Sequence, residues 1–376
     1  MFPISLAPSV RSLPRTRSLC SHLNRSYSTK PGRVIFSGIQ PTGIVHLGNY
    51  LGAISNWVEL QNNAKPEDQI LFSIVGWHAL TLPQNPKVLR TARRDTLAAL
   101  LAFGIDPKKT VLFHQEDNQC HTELAWILSC ITPLGTLRRM TTWKSRLADS
   151  RNANSEDDIN EGMLNAGLFT YPVLQAADIL AYRATHVPVG EDQTQHLELS
   201  RDLAKSFNKT FNGKKRFFPV PEQMITPFKR VLSLKDPTSK MSKSSPDPTS
   251  RILLTDTYPM IQQKLRGAVT DSNSHISFDP INLRGTANLL SILSACTGET
   301  IPNIVARYTG KEKAHGILKM EVADSLEEIW RQPRQDFERL RGETEFLDAV
   351  AKEGARKAKD MTQQTMKEVR TLVGLC

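Results

Sequence analysis

The chain has 376 residues, 39% hydrophobic and 23% charged, which is ordinary for a soluble globular protein and long enough for two domains. Five cysteines (Cys20, Cys120, Cys130, Cys296, Cys376) form no CxxC pair, which argues against zinc and against a disulfide framework. The longest apolar runs fall short of 18 residues, so a membrane partner is not expected.

The formal net charge of +10 is uneven. Residues 1–30 carry Arg11, Arg15, Arg17, Arg25 and Lys30, and no acid precedes Glu59. Residues 1–28, rich in Ser and Arg, have the composition of a mitochondrial presequence, with Arg25 and Tyr27 at a plausible processing point. The expected destination is the mitochondrial matrix. Without those five charges the chain holds 43 basic and 38 acidic residues. That mild excess suits a protein that touches nucleic acid over one face, and equally a basic enzyme.

Three short apolar runs with β-branched residues, Arg33–Ser37, Gln69–Val75 and Thr110–Gln115, read as buried parallel strands. Helix-like stretches fill the gaps at 49–61 and 87–104. This is the βαβ pattern of a doubly wound sheet. A further strand at 186–189 opens into a helix. Residues 148–162 are polar and turn-rich and read as a surface loop. From about residue 250 apolar residues recur at helical spacing, as in Ala287–Gly298, Lys319–Trp330 and Phe346–Val373. The expected organisation is therefore a presequence over 1–28, a Rossmann-like α/β domain over 32–249, and an all-helical region over 250–376.

Two segments carry chemistry. The first, SGIQPTGIVHLGN (37–49), follows the first strand and opens a helix. Gly43 permits a tight turn, Gly48 permits close approach to the backbone, and His46 supplies a donor. It is neither a GxGxxG fingerprint nor a Walker A loop. The second, LKDPTSKMSKSSPDP, is a proline-flanked loop that presents Lys240 and Lys243. Mobile lysines of this kind can stabilise charge that develops on a leaving pyrophosphate.

Together the segments resemble the HIGH and KMSKS signatures of the class I aminoacyl-tRNA synthetases. The first reads His46-Leu47-Gly48-Asn49, with Asn in place of the second His, as suits the tyrosyl and tryptophanyl subgroup. The second reads Lys240-Met241-Ser242-Lys243-Ser244 without departure. Residues 36–43, 170–182, 187–204 and 268–272 are similar to the bacterial and mitochondrial tryptophanyl-tRNA synthetases.

That resemblance implies activation of L-tryptophan by ATP and transfer to tRNA(Trp), on a Rossmann-like sheet bearing HIGH/KMSKS-type motifs. It implies that His46, Asn49, Lys240 and Lys243 are catalytic. It places Gln40, His46, Leu47, Gly48, Asn49, Gly190, Glu191, Asp192, Val231, Lys240, Met241, Ser242, Lys243 and Ser244 on ATP. Asp178, Phe36, His78, Tyr171, Gln175 and Gln193 fall on tryptophan. Asp178 would select the substrate by accepting the single indole N–H, and its alternative reading is an ion pair within a helix. Gln175 stands where many bacterial members have Met, and Arg146 where some relatives have Lys. Mg²⁺ is expected with ATP, and a dedicated protein metal site is not. The helical third would read the anticodon, and the family implies a homodimer. A tyrosyl-tRNA synthetase, a nucleotidyltransferase and a non-catalytic RNA-binding protein stay open at this point.

Overall fold

Five strands pair in parallel: β1 (Val34–Ile39), β2 (Gln69–Ile74), β3 (Val111–His114), β4 (His186–Val189) and β5 (Glu222–Ile225). Their order across the sheet is β3-β2-β1-β4-β5. The computed structural model describes residues 32–144, 147, 164–190, 193–213, 215–225, 230–243, 245–271 and 275–376. The presequence at 1–28 and the polar stretch 148–162 lie outside the described residues.

The four expected strands are present. The first runs on through Gly38 to Ile39, because both residues keep their pairing with Ser73 and Ile74 of β2. Strand β5 was not expected. Its sequence, EQMI, lacks an apolar run, and pairing with β4 from His186–Glu222 to Val189–Ile225 is what makes it a strand.

Alternation along the strands sends side chains into two cores. Ile35, Phe72 and Leu112 join one cluster, and Phe36, Leu71 and Phe113 join the other. Burial on both faces is why these strands read as continuous apolar runs. The chain after β1 passes through α1 (Leu47–Asn49), a π-helical turn (Tyr50–Ile54) and α2 (Ser55–Asn62). Trp57 of α2 is buried and stacks on Phe72 at 4.2 Å. After β2 come the short α3 (Gly76–Ala79) and then α4 (Pro86–Ala102). The α4 start is set by Asn85, which accepts from Lys87 N at 2.9 Å, with Pro86 as the first helical residue. Helices α5 (Cys120–Ser129), α6 (Leu134–Arg138) and α7 (Ala166–Ala181) lie between β3 and β4, and α8 (Thr194–Phe211) follows β4.

Beyond the lysine loop the described chain is helical: α9 (Tyr258–Arg266), α10 (Arg284–Thr297), α11 (Ile301–Tyr308), α12 (Ala314–Gly342) and α13 (Thr344–Val373). These helices return to the sheet. Arg341 of α12 donates to Asp95 of α4 at 3.0 Å. Gly354 brings α13 against β3 so closely that a Cβ there would stand 1.7 Å from Leu112 O. No single helix among the described residues is long and apolar enough to cross a membrane.

Candidate active site

The sheet order reverses between β1 and β4, and open α/β sheets place ligands outside the carboxyl ends of strands at such a point. A cavity of about 320 Å³ lies there. Its walls come from Phe36–Gln40 at the carboxyl end of β1, Val187–Gly190 at the carboxyl end of β4, and residues of α3 and α7, among others.

Asp178 of α7 faces this cavity while only 2% exposed. Three donors hold its carboxylate. Gln115 Nε2 and His121 Nδ1 meet Oδ1, each at 2.7 Å, and His78 Nε2 meets Oδ2 at 2.7 Å. The Gln115 amide cannot turn over freely, because its Oε1 accepts from Trp77 N at 3.0 Å. Burial alone would raise the Asp178 pKa, but the two histidines outweigh it and hold the carboxyl down at about 2. Each oxygen accepts about two hydrogen bonds, and Oδ2 meets one donor among the described residues. An acceptor position on Asp178 is thus left for a ligand N–H.

The rest of this end is fixed by a second network. Tyr171 hydroxyl meets His196 Nε2 at 2.9 Å, and His196 Nδ1 meets Gln193 Oε1 at 2.8 Å. Gln175 Nε2 donates to the same Gln193 oxygen at 3.5 Å. Phe36 stacks on Tyr182, with ring centroids 5.5 Å apart.

The other end is cationic, and here the two motifs meet. Leu47 N donates to Ile252 O, and Leu254 N donates to Val45 O, both at 2.9 Å. Met241 is buried and its N–H donates to Val231 O at 3.0 Å, which anchors the middle of the lysine loop. Only 3.8 Å separates the Met241 Cβ from the point a Cβ on Gly48 would occupy. Lys243 Nζ reaches back to the first turn, donating to Thr42 O at 3.2 Å and Oγ1 at 3.3 Å. Gly43, at φ +93°, forms that turn in the left-handed region.

His46 caps α1. Its Nδ1 accepts from Asn49 N at 3.3 Å, and Asn49 Oδ1 accepts from His46 N at 3.3 Å. Burial, then the charges of Lys243, Lys240 and Arg251, lower its pKa to about 3. The ring is neutral with Nδ1 as acceptor, so its proton sits on Nε2 as a donor. Burial and the Arg251 charge also lower Lys243 to about 8. Lys243, Lys240 and Arg251 thus bring three positive charges to bear on one imidazole. A Cβ on Gly48 would stand 2.9 Å from His46 Cε1, so only glycine leaves this ring its place.

Most of the expected residues are brought together. Gln40, Gly48, Asn49, Gly190, Val231 and Lys240 line the cavity. So do the expected tryptophan residues Phe36, His78, Tyr171, Gln175, Asp178 and Gln193. Leu47 and Met241 are core residues that anchor their segments. His46, Ser242 and Lys243 are not on the cavity wall. Arg146, Glu191, Asp192 and Ser244 lie outside the described residues. Sequence reasoning missed Arg230, which lines the cavity, and Gln115 and His121, which hold Asp178. Gln115 had one usable signal: it follows directly on β3, at the functional edge of the sheet.

The family model of the class I tRNA synthetases for tryptophan and tyrosine matches residues 29–332. The mitochondrial tryptophan–tRNA ligase of Saccharomyces cerevisiae is 40% identical over 345 residues, covering 90% of each chain. The tryptophan–tRNA ligase of Wolinella succinogenes is 43% identical over 342 residues, covering 91% of this chain and 98% of its own. Among solved structures, tryptophanyl-tRNA synthetase from Campylobacter jejuni complexed with ADP and tryptophan superposes with a TM-score of 0.72. It is 30% identical and covers 91% of this chain and 100% of its own. The chain therefore belongs to the class I tRNA synthetases of tryptophan and tyrosine, and its relatives over nearly the whole length place it among the tryptophanyl enzymes.

Proposed function

We infer that this cavity activates L-tryptophan with ATP and that the chain then charges tRNA(Trp). The observation that carries the reading is the polarity of the site: a buried carboxylate with a spare acceptor position at one end, and converging cations at the other. The indole N–H donates to Asp178 Oδ2, between Phe36, His78 and Tyr171. The substrate carboxylate attacks the α-phosphorus of ATP, and the bond to the pyrophosphate oxygen breaks. Tryptophanyl-adenylate and pyrophosphate result. A terminal ribose hydroxyl of the tRNA then attacks the acyl carbon and releases AMP.

No general base is needed in the first step, since the nucleophile is already ionised. Catalysis is positioning and charge stabilisation. Gln40, Gly48, Asn49 and the Nε2–H of His46 serve the nucleotide, Val231 the adenine side, and Gly190 with Glu191 and Asp192 the ribose. Lys240 and Lys243, with Ser242 and Ser244, hold the phosphates as pyrophosphate departs. Mg²⁺ comes with ATP. Among the described residues no three His, Cys, Asp or Glu side chains gather to hold a metal, so the phosphate oxygens would be its ligands.

The helical region 250–376 is assigned to the tRNA anticodon. The basic segment at 1–28, together with the mitochondrial naming of the yeast relative, supports action in the mitochondrial matrix. A homodimer forms through the catalytic domain. Exposed Trp126 and Leu134, in the segment between β3 and β4, support this.

Pyrophosphate exchange into ATP, measured with each amino acid in turn, tests the reading. Exchange with tryptophan alone is expected, and exchange led by tyrosine, or none, refutes it. Asp178→Asn should weaken tryptophan binding roughly tenfold or more, because a charge-assisted hydrogen bond contributes about 1.5–3 kcal/mol. ATP binding should stay near wild type.

A further inference from the structure

Asp178 is held by a line of buried polar groups that ends on the C-terminal helix. His121 touches Asp178 through Nδ1, and its Nε2 lies 2.9 Å from the Tyr182 hydroxyl. Asn118 Nδ2 donates to that hydroxyl at 3.0 Å and to Thr362 Oγ1 of α13 at 3.1 Å. His121 and Thr362 have no exposed surface, Asn118 is 1% exposed and Tyr182 4%.

The direction of every proton follows from the donor inventory. Asn118 Nδ2 also faces the carbonyl of Ala358 at 3.4 Å, so the amide presents its NH₂ to this side. The Tyr182 oxygen is thus an acceptor toward Asn118, and its own proton points at His121 Nε2. Burial pushes the Tyr182 phenol well above its ordinary value, so that proton stays in place. An Nε2 that accepts leaves the imidazole proton on Nδ1, aimed at Asp178 Oδ1. Thr362 closes the line by accepting from Asn118 and donating to Ala358 O at 3.1 Å. Such networks rigidify when every member is satisfied.

We propose that this line is a positioning device: α13, through Thr362, Asn118 and Tyr182, holds the His121 ring where it orients the Asp178 carboxylate for the indole. It rests on the reading that Asp178 accepts the indole N–H. His121 and its supports do not touch the substrate. The carboxylate keeps the proton on Nδ1, and the Tyr182 hydroxyl, by donating to Nε2, fixes the ring's position. Without that hydroxyl Nε2 loses its donor and the ring its second anchor, so the Nδ1–H is no longer held in line with Asp178 Oδ1. The same geometry ties the state of the C-terminal helix to tryptophan affinity.

The test uses the full-length enzyme, with tryptophan and ATP titrated separately in pyrophosphate exchange. Tyr182→Phe keeps the ring against Phe36 and removes only the hydroxyl. It should raise the KM for tryptophan roughly five- to tenfold, as loss of a supporting hydrogen bond to a binding group does. The KM for ATP and kcat should stay within about twofold of wild type, by the same separation of binding from chemistry. Thr362→Val should raise the tryptophan KM about threefold, and Thr362→Ser should restore it. In an Asp178→Asn background, Tyr182→Phe should add less than about twofold, since its effect passes through that carboxylate.

Tyr182→Phe and Thr362→Val enzymes with wild-type tryptophan KM overturn the proposal, as does a rise shared equally by ATP. Full additivity with Asp178→Asn also overturns it. If Asp178→Asn alone binds tryptophan normally, the reading of Asp178 has failed and the positioning proposal falls with it. If Asp178→Asn binds weakly but the Tyr182 and Thr362 variants do not, only the positioning proposal falls.

Discussion

Lys243 offers a test of how the lysine loop works. Its Nζ is parked on Thr42, by hydrogen bonds of 3.2 and 3.3 Å, and burial with the Arg251 charge lowers its pKa to about 8. The depressed value means the ammonium is lost as pH rises through about 8, well before a free lysine loses its proton. At pH 7 the charged form leads about tenfold, and at pH 9 the neutral form does, by the definition of a pKa. If the ammonium stabilises departing pyrophosphate, Lys243→Ala removes about 2–4 kcal/mol from the transition state, a loss of roughly 30- to 900-fold in rate. Tryptophan affinity should not move. The wild-type kcat/KM for ATP, which reports the free enzyme, should fall about tenfold per pH unit above pH 8. Lys243→Arg keeps its charge at those pH values, and this alkaline limb should disappear. Pyrophosphate exchange from pH 6 to 10 measures all three proteins. An alkaline limb that is unchanged in the alanine and arginine variants would refute the argument. So would equal, small effects of Lys243→Ala on rate and on tryptophan affinity.

Gly354→Ala should destabilise the protein by about 1–3 kcal/mol or more, because its Cβ would collide with the Leu112 carbonyl rather than with a movable side chain. Gly316→Ala in α12, where nothing lies within 4 Å, is the control and should be neutral or slightly stabilising in urea unfolding. The proposed homodimer predicts a dimer mass in light scattering for the wild type and a monomer mass for Trp126→Glu, at a side chain 73% exposed; a monomeric wild type would refute the dimer, and an unchanged mass in the variant would refute this face. A fluorescent reporter fused after residues 1–35 should enter mitochondria and lose roughly 25–30 residues, as the basic, acid-free composition implies, whereas uniform cytosolic signal would remove that assignment.

Local chemistry made much of this protein legible in one dimension. Strands β1 to β3 are buried on both faces, so they appear as apolar runs that need no knowledge of their neighbours. The Gly/His turn and the lysine loop are short segments whose residue types stand out in the sequence by themselves. Asp178 is apparent from its surroundings in α7 by resemblance, though its partners are not. What the linear order hides is set by contacts between distant segments. Strand β5 exists because β4 offers it an edge. The two motifs become one site only when Val45 and Leu47 pair with Leu254 and Ile252. The charge state of His46 depends on Lys240, Lys243 and Arg251 arriving around a buried ring. Gln115 and His121 sit far from Asp178 in sequence and are adjacent only because β3 and α5 pack beside α7. Thr362 looks like an unremarkable helix residue until Gly354 lets α13 close on the sheet. Propensity and apolar period act over a few residues, so they reach the sequence directly. Burial, electrostatics and hydrogen-bond direction depend on what lies across space, and only the folded chain decides that.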